Sequence, residues 1–249
     1  MTDQQSYHQI ASALYLRAVL PAFEELAAVS PRAQSLMANW NCSVEFAVRS
    51  NGAATVIFQN GSVSVLPEHH PRSTVSLFFL SARQLVNQFS GHGFSLPLPR
   101  RGILNLRSLL RFQKLGNILQ EEVERHPRLL LGVALASLHL LTERDAKARE
   151  YLRDCPPGLA EIGIPARELF GWVECKNGKM TSGRGRAPRT PDVFISFRDE
   201  ETALAGLRGE LDELAATGAG DLSVRGLLPF AETLGLIAAR AAVYLKPPA

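Results

Sequence analysis

The stretch GDLSVRGLLPFAETLGLIAAR, residues 220–240, joins a short alternating segment to a long apolar one. Residues 222–224 read Leu-Ser-Val, which is the alternation expected of a half-buried strand. From 227 to 242 the only charged residues are Glu232 and Arg240. A surface helix normally has one apolar stripe and one charged face. This helix is therefore expected to meet apolar groups on several sides, supplied by its own core, a partner or a ligand.

The same segment has a counterpart earlier in the chain. At an offset of 118, GILNLRSLLRF (102–112) aligns with GDLSVRGLLPF (220–230), and six of the eleven positions are identical. The offset holds upstream, where TVSLFFLS (74–81) aligns with DVFISFRD (192–199). Repeated strand and helix signals at a fixed spacing indicate an internal repeat. We therefore predict a tandem duplication.

The predicted domains are residues 1–122 and 123–249, and each has the element order α-β-β-β-β-α-β-α. In the first half we predict strands at 44–48, 55–59, 62–66, 74–80 and 103–106, and helices at 7–28, 81–89 and 108–125. In the second half we predict strands at 160–164, 170–176, 179–182, 192–197 and 221–225, and helices at 129–143, 146–153, 200–216 and 229–246. This pattern predicts an α+β fold of two similar units, each a mostly antiparallel five-stranded sheet covered by helices on one face.

The second half resembles the sterol carrier protein type 2 domain, the non-specific lipid-transfer family. The resemblance lies in the strand DVFISF (192–197) and in GDLSVRG (220–226), a Gly-led strand that ends near a second Gly before the last helix. It covers about residues 190–245 and reaches the first half through the internal repeat. The first half departs from the pattern at Asn105–Ser108, where the family has a Gly after the strand.

The resemblance implies an apolar tunnel between sheet and helices that holds a fatty acyl chain, a sterol or an isoprenoid. The residues expected to line it are Phe79, Leu109, Phe112, Val193, Ile195, Phe197, Leu227 and Phe230. Arg225, which aligns with Arg107 in the first half, is either a structural cation beside the sheet or a cation at the tunnel mouth. From the residues alone, the apolar set equally fits the core that any α+β domain requires.

No set of residues predicts catalysis, a cofactor or a metal. Glu68, His69 and His70 lie close to His92 in sequence, but nothing completes a tetrahedral ligand set, so a solvated loop is expected. Phosphate-binding Gly motifs and a GxSxG elbow are absent from the sequence. The loop SGRGRAPR (182–189) is interpreted as a strand connection, with contact to an anionic headgroup or to nucleic acid as alternatives.

Composition predicts a cytoplasmic protein. The net charge is +3, which is too small to indicate nucleic acid by itself, and the three cysteines are widely spaced and odd in number. The most apolar run, 129–141, is shorter than the roughly 18 residues a membrane span needs. We therefore expect non-enzymatic binding of a lipid or other apolar small molecule, with at most transient membrane contact. The alternative is a protein-interaction or oligomerisation module that uses the helices at 129–141 and 229–245.

Overall fold

The computed structural model describes residues 3–49, 51–90, 97–102 and 105–245. The chain divides into two compact units, Met1–Val123 with Tyr244–Ala249, and Glu124–Val243. The assignment of domains to 1–122 and 123–249 stays a prediction.

The first unit begins with a long helical layer. Its segments are α1 (Asp3–Leu14), a π-helical turn (Tyr15–Val19), a 3-10 turn (Leu20–Ala22), α2 (Phe23–Val29) and α3 (Pro31–Met37). Pro21 lies in the 3-10 turn, where its missing N–H interrupts the regular hydrogen bonding of the helix predicted at 7–28. The short helix α3 was not predicted.

The first sheet has five strands, in the order β3-β2-β1-β4-β5. They are β1 (Cys42–Val48), β2 (Gly52–Gln59), β3 (Ser62–Leu66), β4 (Val75–Phe79) and β5 (Leu98–Arg101). Only the pairing of β1 with β4 is parallel among these neighbours. At the hairpin between β2 and β3, Asn60 and Gly61 both have positive φ, 50° and 88°, as a primed turn requires. Helices α4 (Ala82–Ser90) and α5 (Leu106–Arg125) complete the unit.

The strand predicted at 103–106 is wrong, because β5 lies at Leu98–Arg101 and helix α5 already begins at Leu106. Ile103 and Leu104 lie outside the described residues. Pro99 is compatible with β5 because β5 is an edge strand and needs fewer N–H donors. Asn105 begins the helix: its carbonyl accepts the Leu109 N–H at 3.2 Å, and its side chain accepts the Ser108 hydroxyl at 2.9 Å.

The second unit repeats this architecture. Its helices are α6 (Pro127–Arg144), α7 (Ala146–Arg153), α8 (Glu200–Arg208), α9 (Glu213–Ala219) and α10 (Leu228–Leu245). Its strands are β6 (Gly158–Ile164), β7 (Leu169–Lys176), β8 (Lys179–Arg184), β9 (Val193–Phe197) and β10 (Leu222–Gly226). The order β10-β9-β6-β7-β8, with β6 and β9 parallel, is the topology of the first sheet. The predicted α+β class with two mostly antiparallel five-stranded sheets is confirmed.

The helix predicted at 200–216 is two helices. Gly209 adopts the left-handed conformation, with φ 69°, and ends α8, because glycine has no Cβ to oppose that geometry. Asp212 then caps α9 by accepting the N–H of Ala215 at 3.0 Å. The apolar periodicity continued across this break and concealed it in the sequence.

Candidate functional site

A row of four residues crosses the helix-facing side of the second sheet, one from each of four strands. Gly171 of β7 is paired with Ile162 of β6, which is paired with Ile195 of β9, which is paired with Val224 of β10. Gly171 shows that this side of the sheet faces the helices, because a Cβ added to it would clash with the side chain of Leu135 in α6. The row is therefore the apolar floor beneath the helices of this unit.

The floor is less completely covered toward its β10 edge than at the central strand β6. In β9, Val193 and Phe197 are buried, whereas Ile195 between them is only partly buried. In β10, Leu222 is buried and Val224 is partly buried. Residues two apart in a strand share a face. Ile195 and Val224 are neighbours on that face, so the helices bury the β9–β10 part of the floor only partly.

Leu227 and Phe230 pack at one end of the same floor. A Cβ added to Gly158 of β6 would lie 3.2 Å from the Phe230 ring and 3.4 Å from Leu227. Phe197 faces the same layer, because its ring lies against Gly206 of α8. The structure therefore brings the five predicted apolar residues of the second unit to one side of one sheet: Val193, Ile195, Phe197, Leu227 and Phe230.

Two of the three predicted residues of the first unit, Phe79 and Phe112, belong to an aromatic core. Phe112 of α5 lies with its ring centroid 5.3 Å from that of Phe23 and 5.3 Å from that of Phe46. Phe79 is fully buried and stacks with Phe46 at 6.4 Å. The third predicted residue, Leu109, lies three residues before Phe112 in α5 and is partly buried. Aromatic side chains thus occupy the space between the first sheet and its helices.

The second unit has smaller side chains at matching positions of its sheet. The two sheets have the same strand pairing, which gives these pairs of first-unit and second-unit residues: Cys42 and Gly158, Val44 and Ala160, Phe46 and Ile162, Ala54 and Gly171, Phe58 and Cys175. Leu135 packs into the space at Gly171, and Phe230 packs into that at Gly158. At the other three pairs, the smaller residues Ala160, Ile162 and Cys175 replace larger ones. The second unit is therefore better suited than the first to accept an apolar molecule.

Arg225 lies in β10 next to Val224, and adjacent strand residues point to opposite faces. Its side chain is therefore directed away from the floor. Arg107, its counterpart in the sequence repeat, lies inside helix α5, so the two arginines do not occupy equivalent places. Both are exposed, and neither makes an ion pair with any residue that the structure describes.

Helix α10 buries one stripe and exposes another. The buried stripe consists of Phe230, Leu234, Ile237, Ala241 and Tyr244. Leu228, Leu236 and Val243 are 58%, 43% and 55% exposed. Among the described residues, α10 is the one helix long and apolar enough to cross a membrane, with mean hydropathy 1.3, and 28% of it is buried. The fold's own core therefore accounts for only part of the apolar surface of α10.

A buried glutamate stands at the fourth position of the central strand in both units, and the sequence analysis missed it. Glu45 in β1 is fully buried: it accepts the His70 N–H at 3.0 Å and the Ser76 hydroxyl at 2.7 Å. It also forms an ion pair with His69 at 2.6 Å when that histidine is protonated. The signal was present in the sequence, since CSVEFAV and GLAEIGI each place one acid inside an apolar strand.

Glu161 in β6 holds the basic loop of the second unit. It accepts the Ala187 N–H at 2.7 Å and pairs with Arg186 at 2.9 Å, and the Arg186 guanidinium also lies 3.4 Å above the Phe170 ring. Arg189 pairs with Asp192 at 3.0 Å. The loop must pass over β7 and β6 to connect β8 to β9, and these contacts fasten it to the face away from the helices. These arginines serve the strand connection that the sequence predicted.

The anchoring of the loop extends to Asp192, which ends it. Its carboxylate accepts the Leu159 N–H at 2.8 Å and a bond from Arg189. These two interactions hold the pKa of Asp192 below its ordinary value. In the first unit, Thr74 takes the same place and accepts the Ser43 N–H at 3.2 Å.

The cysteines are thiols, and burial raises the pKa of each. The pKa of Cys155 rises to about 12 because of burial and the neighbouring Cys175. Burial also raises the pKa values of Cys42 and Cys175. Thiols with raised pKa values are poor nucleophiles at neutral pH.

No metal centre is formed by the residues that the structure describes, which contain no group of three or more His, Cys, Asp or Glu arranged to hold a metal ion. His69 contacts Glu45 instead. His92 of the predicted histidine group lies outside the described residues. The expectation that the protein needs no metal or cofactor stays a prediction.

No protein-family model matches the sequence, and no curated protein matches it. Among solved structures, a sterol carrier protein domain from Helicoverpa armigera is 20% identical, with TM-score 0.36, over 46% of this chain and 89% of that one. A UbiJ-SCP2 ubiquinone synthesis protein is 17% identical, with TM-score 0.35, over 46% of this chain and 96% of that one. An inverting sec-alkylsulfatase from a Pseudomonas species is 16% identical, with TM-score 0.33, over 44% of this chain.

The match to the alkylsulfatase spans 16% of that protein's length. Sterol carrier protein 2 domains are thus among the structures similar to this chain, and each of these likenesses covers less than half of it. At these identities and TM-scores the likenesses do not assign a function.

Proposed function

We propose that the second unit binds a lipid or another apolar small molecule, without catalysing a reaction, between its sheet and helices. The observation that carries the proposal is the partial exposure of Ile195 and Val224, which lie between buried neighbours on the helix-facing side of β9 and β10, in the unit with the smaller side chains. Partial exposure of two β-branched side chains on the helix-facing side of a sheet leaves apolar surface in contact with water, which is unfavourable. An acyl chain, sterol or isoprenoid laid over them would remove that surface from water.

The smaller side chains of the second unit support this choice of unit. Ile162 and Cys175 stand where the first unit has Phe46 and Phe58. Affinity would come mainly from burial of the ligand, at about 0.8 kcal/mol for each CH₂ group. The resemblance of residues 190–245 to sterol carrier domains agrees with a ligand of this class. The unpaired thiols support the further proposal that the protein works in a reducing compartment such as the cytoplasm.

The test is a titration with a fluorescent long-chain fatty acid, using wild type and two tryptophan variants. Ile195→Trp places an indole over the partly exposed part of the floor and is expected to weaken binding at least about 10-fold. Leu77→Trp is the matched control, because Leu77 has the same register in the first sheet and is also partly buried. Leu77→Trp should leave the affinity unchanged.

Two results would contradict the proposal. The first is wild-type protein that takes up neither the fatty acid nor a fluorescent sterol. The second is a loss of binding in Leu77→Trp with full binding in Ile195→Trp, which would place the ligand in the first unit.

A second candidate function is association with another protein chain, which the exposed stripe of α10 favours.

A further inference from the structure

The first sheet presents two exposed leucines at its β4–β5 end. Phe79 belongs to the core beneath the helices, so Phe78, which precedes it in β4, lies on the opposite face of the sheet. Phe78 is paired with Leu98 of β5, which is 50% exposed. Leu80, which directly follows β4, is 54% exposed. Two large apolar side chains are therefore in contact with water at this end of the sheet.

Two arginines of β5 lie on the same face as Phe78. The Arg100 guanidinium lies 3.7 Å from the centroid of the Phe78 ring. Arg101 is paired with Ser76, and its guanidinium donates to the carbonyl of Pro71. The register of β4 and β5 shifts between these contacts, and such an irregularity redirects a side chain. Two consecutive arginines are therefore held on the face that points away from the helices.

Two further arginines border this face. Arg72 lies in the β3–β4 loop directly after Pro71, whose carbonyl binds Arg101. The N–H of Arg49 donates to the carbonyl of Phe79, the last residue of β4, at 3.2 Å. Both Arg49 and Arg72 are exposed. We call the whole set the basic face; its members are Arg49, Arg72, Leu80, Leu98, Arg100 and Arg101.

The four arginines of the basic face have no acidic partner within the part of the chain that the structure describes. Glu45, the acid on this side of the sheet, is buried and bonded to Ser76. The second unit differs, because in its corresponding loop Arg189 pairs with Asp192 at 3.0 Å. A cluster of cations of one sign attracts anions from outside the chain.

We propose that the basic face docks on an anionic membrane surface, with its arginines against lipid phosphates and Leu80 and Leu98 at the boundary between headgroups and acyl chains. A guanidinium can bind two phosphate oxygens at once. Apolar burial and attraction to anionic lipids add to one another at such a surface. The proposal does not depend on ligand binding by the second unit, because every residue of the basic face belongs to the first.

The leucines favour a membrane over a nucleic acid as the partner. Proteins that bind single-stranded nucleic acids stack the bases on aromatic side chains. The Phe78 ring is already covered by Arg100. Leu98 gains nothing from a phosphodiester backbone, whereas a lipid surface removes it from water.

Docking of this kind should be reversible and sensitive to salt. Each cation close to an anionic membrane strengthens binding roughly fivefold. Dissolved ions screen that attraction, so binding should fall steeply as the salt concentration rises. A contact made by the leucines alone would change little with salt.

The test is sedimentation of the full chain with vesicles of phosphatidylcholine and phosphatidylglycerol in equal amounts. Wild type should bind these vesicles at about 0.1 M salt and should not bind vesicles of phosphatidylcholine alone. Arg72→Glu should weaken binding at least about 10-fold, because it reverses one charge of the basic face. The matched control is Arg225→Glu, since Arg225 is also exposed but lies in β10 of the second unit. This control should bind like wild type.

A second pair of variants tests the leucines. Leu98→Asp should weaken vesicle binding at least about 10-fold, because it places a carboxylate at the lipid surface. Leu110→Asp should leave binding unchanged, since Leu110 is 59% exposed but lies in α5. Circular dichroism establishes that each variant is folded. Uptake of a fluorescent fatty acid should be the same in Arg72→Glu as in wild type, which separates docking from ligand binding.

Wild-type protein that does not sediment with the anionic vesicles overturns the proposal, as does equal binding to phosphatidylcholine alone. Loss of binding in Arg225→Glu with full binding in Arg72→Glu also overturns it, because the surface would then lie in the second unit. Full binding by Leu98→Asp overturns the role given to the leucines. Protein that ignores vesicles but binds single-stranded RNA, and binds it more weakly in Arg72→Glu, assigns the basic face to nucleic acid instead.

Discussion

Replacing Cys175 by phenylalanine places into the second sheet the residue that the first sheet has at the same position, Phe58. Cys175 is 3% exposed and is paired with Gly158, against which Phe230 and Leu227 pack. Phe58 in the first unit contacts Phe112, with ring centroids 6.1 Å apart. The new ring is therefore directed toward Phe230, into the apolar layer between the second sheet and its helices.

The expected magnitudes differ sharply between a ligand space and a close-packed core. If the ring displaces about four methylene groups of an acyl chain, at about 0.8 kcal/mol each, binding weakens by about 3 kcal/mol, or roughly 200-fold. In a ligand space the ring adds contacts, so unfolding of the ligand-free protein should cost the same free energy or slightly more. In a close-packed core, the added bulk would destabilise the protein by about 1–3 kcal/mol.

Urea unfolding of delipidated protein and titration with a fluorescent fatty acid measure the two quantities separately. Cys175→Ala is the control for loss of the thiol, and it should keep ligand affinity. The reasoning is refuted if Cys175→Phe lowers the free energy of unfolding by more than about 1 kcal/mol while leaving the affinity unchanged.

Three other changes probe separate parts of the structure. Phe112→Ala should lower the free energy of unfolding by about 3–5 kcal/mol in a urea titration, because Phe112 is buried among three aromatic rings. A loss below about 1 kcal/mol would contradict a filled first core. Glu161→Gln should release the loop at Arg186, measured as faster proteolysis between β8 and β9, whereas Glu174→Gln, at a rim contact of Arg189, should change it little. Because the pKa of Asp192 is lowered in the folded state, its contribution to stability is present above its ordinary pKa near 4 and is lost as the pH falls through the lowered value. Asp192→Asn should therefore weaken the pH dependence of the free energy of unfolding between about pH 4 and pH 2. An unchanged pH dependence in this range would refute the role of Asp192.

The sequence predicted the sheets better than the connections. Alternating residues located most strands of both sheets, and the β2–β3 and β7–β8 connections each have an Asn-Gly pair with positive φ, which obeys a local rule. The fifth strand of the first unit was misplaced because Asn105 and Ser108 hydrogen-bond to begin a helix inside what looked like alternation. The break at Gly209 was missed because apolar spacing alone does not report a left-handed residue.

The sequence indicates on which face of the sheet the candidate site residues lie, but not how far the helices cover that face. Val193, Ile195 and Phe197 lie on the side of the sheet that faces the helices, as strand parity predicts, and their role in lining a ligand site stays a prediction. Whether a face is covered depends on helices distant in sequence, so the partial exposure of Ile195 and Val224 had no local signal. The size difference between Phe58 and Cys175 was readable only after the registers of the two sheets were known. The correspondence of Glu45 and Glu161 was hidden because the repeat aligns at an offset of 118 near the strand-to-helix segments, whereas these two residues are 116 apart.

The central claim is that the second unit holds one apolar ligand. Native mass spectrometry of protein incubated with a long-chain fatty acid, followed by solvent extraction, tests it most directly. The account predicts one bound fatty acid per chain, released on denaturation and absent from Ile195→Trp. Protein that remains ligand-free would contradict the claim, and two fatty acids per chain would contradict its assignment to the second unit alone.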